Sequence, residues 1–168
     1  MPRSKWLTAA VLFIPVLIWG VLENTGLSAP GKNARLKLGT NYALIIGIGN
    51  YQNWPKLTSP TRDAEQIAKV LADNYNFRKS NIILLTDKAS EKPTLLNILT
   101  QVDRYAEKLG PDDNLLIFFS GHSTEDDQGE TYWIPIDGKK NSKLTWLSHK
   151  SISEDIFSSD LLLQDTSP

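Results

Sequence analysis

The residue best placed to do chemistry is His122, which lies between Gly121 and Ser123 directly after the apolar run Leu115 to Phe119. An imidazole at the end of a buried strand can serve as a general base near neutral pH. The plain alternative is a hydrogen-bonded loop histidine. His149 has no partner that the sequence identifies and reads as a loop residue. Gly47-x-Gly49 is the first half of a dinucleotide fingerprint, but Gln52 holds the third glycine position and Pro55 follows before a helix can begin. Those glycines read as a turn off a strand end. The chain has neither a GxxxxGK(S/T) phosphate loop nor a GxSxG elbow. It also has no cysteine among its 168 residues, so disulfides, thiolate metal sites and a thiol nucleophile of its own are excluded.

The elements that would hold His122 follow from the hydrophobic pattern. Tyr42 to Ile48, Ile82 to Leu85 and Leu115 to Phe119 are short continuous apolar runs, the pattern of strands buried on both faces. Between the first two, Ala64, Ile67, Ala68 and Leu71 keep helical spacing behind Ser59-Pro60, a cap and first-turn pair. Between the second and third, Leu95, Leu99, Val102, Ala106 and Leu109 do the same, and Gly110-Pro111 ends that helix. The order β-α-β-α-β predicts an α/β fold: a parallel sheet covered by helices on both faces, with ligands gathering at the strands' carboxyl ends. His122 falls at such an end. Thr131 to Ile136, followed by Asp137-Gly138, predicts a small hairpin after the third strand. Ser151 to Leu163 predicts a short helix. No internal repeat is visible.

Charge is close to balanced, with 18 Lys and Arg against 19 Asp and Glu, so nucleic acid is not an expected partner. Five of the basic residues (Arg3, Lys5, Lys32, Arg35, Lys37) but only one acid, Glu23, precede Asn41. Within that stretch Trp6 to Leu22 carries no charge and reaches ~17 residues, the lower limit for a spanning helix. Residues 1–22 are therefore expected to form a membrane anchor, and residues 23–40, rich in Gly, Pro and Asn, a flexible linker. Arg3 and Lys5 would hold the N-terminus in the cytoplasm and put the main domain on the extracytoplasmic side, periplasmic in a bacterium. A cleaved signal peptide, leaving a secreted domain, is the alternative, although Pro30 follows the small-residue site at Leu27-Ser28-Ala29.

Four motifs in sequence order carry a resemblance: YALIIGIGNY; Leu57-x5-Asp63-Ala64 opening a helix; Asp113-Asn114 leading through LLIFFS to Gly121-His122; and Ile134-Pro135-Ile136-Asp137. Together they resemble the large-subunit half of caspase-like cysteine peptidases, including bacterial caspase homologues and metacaspases, over residues 41–168. The resemblance implies a Cys-His dyad in which His122 is the histidine. A backbone amide beside it would bind the oxyanion, which brings in Gly121 and Ser123. Ser123 stands where the family usually has glycine, so a left-handed backbone there would be strained. Asp63 matches the acid that helps line a pocket for Arg or Lys at the cleavage site. Its other reading is a first-turn acid that stabilises the helix macrodipole. Glu125, Asp126, Asp127 and Glu130 fall in a region that metacaspases associate with calcium. Their spacing fits no EF-hand, and a solvated acidic loop is the preferred reading.

The resemblance also implies a cysteine ~50 residues after the histidine, near position ~172. The expectation is therefore a domain incomplete at its C-terminus, whose Cys-bearing strand comes from a continuation or from a second chain. A strand such as Leu115 to Phe119 would otherwise leave one backbone edge unpaired. The function expected is peptide-bond hydrolysis after Arg or Lys on peptide or protein substrates, with no cofactor required. A catalytically inactive caspase-like binding module or a gene relic is the alternative.

Overall fold

The structure is a computed structural model that describes residues 10–14 and 39–154. In chain order its elements are β1 (Ala10–Ile14), β2 (Asn41–Gly47), α1 (Pro60–Asn74), β3 (Ile82–Thr86), α2 (Leu95–Lys108), β4 (Asn114–Ser120), β5 (Ser123–Glu125), β6 (Thr131–Trp133) and β7 (Leu147–Ser148). The main sheet runs β1-β4-β2-β3, and β2 pairs in parallel with both β3 and β4. The three continuous apolar runs are its parallel strands, as the pattern requires of strands buried on both faces.

The two helices cover opposite faces. Ala64 and Leu71 of α1 pack with Ala43, Ile45, Leu116 and Phe118. Ile98, Val102 and Tyr105 of α2 pack with Leu44, Ile46, Leu115 and Ile117 in the larger core, which also takes in Trp133, Ile134 and Leu147. Pro60 opens α1 after Ser59, whose side chain makes no cap bond. Thr94 caps α2 by accepting from the Asn97 amide at 3.2 Å. The buried stripe of α2 is Ile98, Gln101, Val102 and Tyr105, rotated from the leucine stripe expected of it. The Tyr105 hydroxyl reaches the backbone carbonyls of Ala43 and Asn81 at 2.9 and 3.2 Å, so its ring can be buried without stranding the polar tip.

Two expectations need correction. The hairpin forms one step earlier than expected: β5 pairs antiparallel with β6 across residues 126–130, and β7 adds a third strand. Its turn is tied by Asp126 rather than by Asp137-Gly138. The N-terminal run departs further. Ala10–Ile14 is a strand on the outer edge of β4, antiparallel to it with Ala10 opposite Phe119 and Ile14 opposite Leu115, where a membrane helix was expected. An edge that β2 leaves unpaired attracts an apolar segment able to complete its hydrogen bonds. Among the described residues no helix is long and apolar enough to cross a membrane. The rest of residues 6–22 lies outside the described residues. Residues 149–154 are helical, and the remainder of the helix expected to Leu163 also lies outside them.

Candidate active site

β4 ends at Ser120, and its parallel partner β2 ends beside it, with Gly47 opposite Ser120. The chain leaves both strands at one sheet edge. From β2 it runs through Gly49, Asn50, Tyr51, Trp54 and Pro55 before α1 begins. This segment is fixed by Asp87, which follows β3. Asp87 Oδ2 accepts from the Gly49 and Asn50 amides and from the Thr61 hydroxyl, each at 2.9 Å. The glycine fingerprint has a packing explanation: a Cβ at Gly47 would meet Ala64 Cβ at 2.6 Å, and one at Gly49 would meet the Leu57 carbonyl oxygen at 2.6 Å.

His122 is 3% exposed. Its backbone N–H donates to the Tyr51 hydroxyl at 2.7 Å, and its Nε2 lies 2.8 Å from the Pro55 carbonyl oxygen. A carbonyl only accepts, so Nε2 carries the proton and the lone pair is on Nδ1. The ring packs against Tyr51 and Trp54, with centroids 4.7 and 5.6 Å away. Burial is the largest influence on the imidazole and lowers its pKa below the usual value. The Pro55 bond opposes that shift, and the Lys140 charge adds to it. Burial likewise raises the Tyr51 phenol well above its ordinary range, against the His122 amide bond and with help from the Asp87 charge. The result is a neutral imidazole of fixed tautomer beside a neutral phenol.

Gly121 is required by packing, since a Cβ there would lie 2.3 Å from Tyr51 Oη and 2.8 Å from Phe119 Cζ. Ser123 is the first residue of β5, and among the described residues Asn76 is the non-glycine with positive φ. The strain expected at Ser123 is therefore absent. The Ile134 amide donates to the His122 carbonyl at 2.9 Å, which makes the Ser123–Trp133 pair a non-hydrogen-bonded one and turns the Ser123 N–H away from β6. Asp63 stands in the first turn of α1, two residues from Thr61, with Arg62 Nε 4.0 Å from its Oδ1 in a largely exposed ion pair.

Two of the four acids, Asp126 and Glu130, are bonded to the hairpin and its neighbours. Asp126 Oδ1 accepts from the Gln128 and Glu130 amides at 2.9 and 3.0 Å, while Oδ2 faces Tyr132 Oη at 3.2 Å and Lys143 Nζ at 3.1 Å. The side chain is 5% exposed. These bonds, led by that from the Glu130 amide, lower its pKa to about 2. Glu130 accepts from Tyr132 and Ser148. Among the described residues no three acidic, histidine or cysteine side chains group to hold a metal ion.

Trp133 is fully buried and stacked on Phe119, with centroids 4.7 Å apart. It belongs to the core. Trp54 and Trp146 donate their indole N–H groups to the carbonyls of Gly138 and Lys139 at 3.1 and 2.8 Å, and so pin the loop that carries Lys140. Sequence reasoning missed Tyr51, Pro55 and Asp87 as supports of His122. A backbone carbonyl such as that of Pro55 leaves no mark on residue type, so nothing in the sequence could have singled it out.

A family model described as "Caspase domain" matches residues 40–161. Metacaspase-1 of Eremothecium gossypii is 32% identical over 97 residues, covering 55% of this chain and 22% of that protein. Metacaspase-1A of Aspergillus oryzae is 29% identical over 110 residues, covering 59% and 26%. Metacaspase-1 of Saccharomyces cerevisiae is 31% identical over 97 residues, covering 55% and 22%. The aligned part thus spans about a quarter of the length of these relatives.

Proposed function

The chain belongs to the caspase-domain family, and we propose that it supplies the histidine side of a cysteine-type endopeptidase whose thiol comes from a segment outside these 168 residues. The observation that carries this reading is the seating of His122: buried at the carboxyl end of a parallel strand, its tautomer set by the Pro55 carbonyl. In this reading Nδ1 takes the proton of the incoming thiol, and the thiolate attacks the scissile carbonyl carbon. The Ser123 N–H, turned off the ladder, stabilises the oxyanion. Collapse of the tetrahedral intermediate breaks the C–N bond as His122 returns its proton to the leaving amine. Water then hydrolyses the thioester with His122 as base. Asp63, at the same sheet edge on the first turn of α1, receives the Arg or Lys side chain before the cleaved bond.

A second reading, a non-catalytic caspase-like module that binds peptides, is favoured by the lack of any cysteine in the sequence. The two part on one experiment. The native protein is purified with whatever accompanies it and assayed on fluorogenic peptides ending in Arg or Lys. Hydrolysis abolished by iodoacetamide is the expected result. Binding without hydrolysis, or hydrolysis indifferent to alkylation, would leave the module reading.

A further inference from the structure

β3 ends the main sheet: the order is β1-β4-β2-β3, and among the described residues no strand lies beyond it. Its five residues turn alternate side chains to the two faces. Ile82 and Leu84 belong to the α1 side, Ile83 and Leu85 to the α2 side. Each face has a hollow at this edge, and the two differ in chemistry. On the α1 face a cavity of about 410 Å³ is lined by Ile82, Leu84, Ala68 and Ala72, together with Lys69, Asp73 and Lys79. On the α2 face one of about 210 Å³ is lined by Ile83 with Glu91, Gln101, Arg104 and Lys108. Its polar wall is held in place. Gln101, only 2% exposed, donates from Nε2 to Glu91 Oε1 at 3.0 Å and accepts at Oε1 from Arg104 Nη1 at 3.2 Å. Lys108 Nζ lies 4.6 Å from the centroid of the Tyr42 ring.

The surroundings of this edge are basic, in a chain whose net charge is -1. Arg78 and Lys79 precede β3, Lys88 follows it, and Lys69, Arg104 and Lys108 flank it, all of them exposed. The acids beside these cations are already engaged: Asp73 by Lys69, Glu91 by Gln101, and Glu65 by Lys88 at 3.8 Å. Asp87, at the end of the strand, gives its Oδ2 to the Gly49 and Asn50 amides and the Thr61 hydroxyl. Positive charge along an edge strand repels a second copy of the same edge and attracts a strand of opposite charge.

We propose that the outer edge of β3 is a docking strand for an extended segment of a partner protein in which acidic and apolar residues alternate. Side chains of an added strand fall alternately on the two faces. The apolar set enters the α1 hollow over Ile82 and Leu84, and the acidic set meets Arg104 and Lys108 on the α2 face. Backbone bonds to β3 supply affinity, and the two unlike hollows supply selectivity. This edge lies two strands from β4 in the sheet order, and the proposal does not rest on the peptidase reading of His122.

The probe is a fluorescent peptide of alternating valine and glutamate, long enough to span the five residues of β3, titrated into the full chain and followed by anisotropy. Saturable binding that weakens as salt is raised is expected, and a peptide of alternating valine and lysine should not bind. Ala72→Phe fills the α1 hollow, and Arg104→Glu with Lys108→Glu reverses the charge of the α2 wall. Each change should weaken binding by about tenfold or more, with far-UV circular dichroism showing that the variants fold as the parent chain does. The valine-glutamate peptide N-methylated at every backbone amide keeps its charge and loses its donors, so it should fail to bind. No saturable binding of the valine-glutamate peptide to the parent chain, or equal binding of the N-methylated or the lysine peptide, would overturn the proposal. Folded variants that bind as the parent does would overturn it too. So would self-association of the chain that Ala72→Phe abolishes, since a second copy would then hold the edge.

Discussion

His122 and His149 differ in only one respect that matters. Both imidazoles lie against an indole, Trp54 at 5.6 Å and Trp133 at 4.5 Å between centroids, and both titrate below the usual histidine range because burial disfavours the charged ring. His122 has its Nε2 on the Pro55 carbonyl and its amide on Tyr51. His149 has its Nε2 buried with no hydrogen-bond partner, and the Trp133 Nε1 beneath it is in the same condition. Burial alone makes a neutral imidazole. Only a partner fixes which nitrogen holds the proton and where the other one points. In the first environment the Pro55 carbonyl meets the Nε2 proton, whereas in the second an unmet polar atom costs ~1–3 kcal/mol.

The largest test of that contrast is replacement of each histidine in the native assembly. His122→Ala should lower hydrolysis by about 10²–10⁴-fold, the usual contribution of a general base, while His149→Ala leaves the rate per folded molecule unchanged. Equal losses from the two would mean that both act through stability. Next in size is Gly121→Ala, whose Cβ would collide with the Tyr51 hydroxyl. Overpacking of this kind costs ~1–3 kcal/mol. Because the nearest obstacle is one oxygen, Tyr51→Phe, which by itself gives up the His122 amide bond, should cost less in the Gly121→Ala background than in the parent chain in urea unfolding. A double variant no better than the sum of its single changes would place the collision elsewhere, against Phe119.

The histidine and its frame are legible in the sequence for a physical reason. Strands buried on both faces must be apolar throughout, so β2, β3 and β4 show as runs, and the residue after the third run has to lie at the sheet edge. Helix positions were also readable from period, although the buried stripe of α2 was not. Tyr105 falls outside the expected stripe, and it is buried because its hydroxyl reaches two backbone carbonyls. The supports of His122 are harder still. Pro55 contributes a carbonyl, Asp87 acts through backbone amides, and neither function depends on a pattern of residue types. The acidic loop misled in the opposite direction, since Asp126 looks like a surface carboxylate and is instead 5% exposed and holds the 126–130 turn. β1 departs from the helix expected there over residues 10–14. An uncharged run suits a bilayer and a sheet edge equally well, and these five residues pair with the side of β4 that β2 leaves open.

The smallest effect, and the one that isolates His149, is on acid stability. In the unfolded chain both histidines titrate near 6.5, and in the folded chain both titrate lower. Between those values the unfolded state binds more protons. Stability therefore falls as pH drops through 6.5 and stops falling on this account once pH is below the folded pKa values. His149→Phe keeps an aromatic edge against Trp133 and removes one of the two titrations. Urea midpoints measured from pH 7.5 to 5.5 should decline less steeply than in the parent chain. At pH 7.5 the variant should be equal or more stable by up to ~1 kcal/mol, because a buried nitrogen with no partner has gone. His122→Phe should flatten the same limb but start from lower stability, having given up the Pro55 bond. If His149→Phe leaves the acid slope where it was, His149 takes up its proton equally in the folded and unfolded chains, and the difference drawn between the two imidazoles is lost.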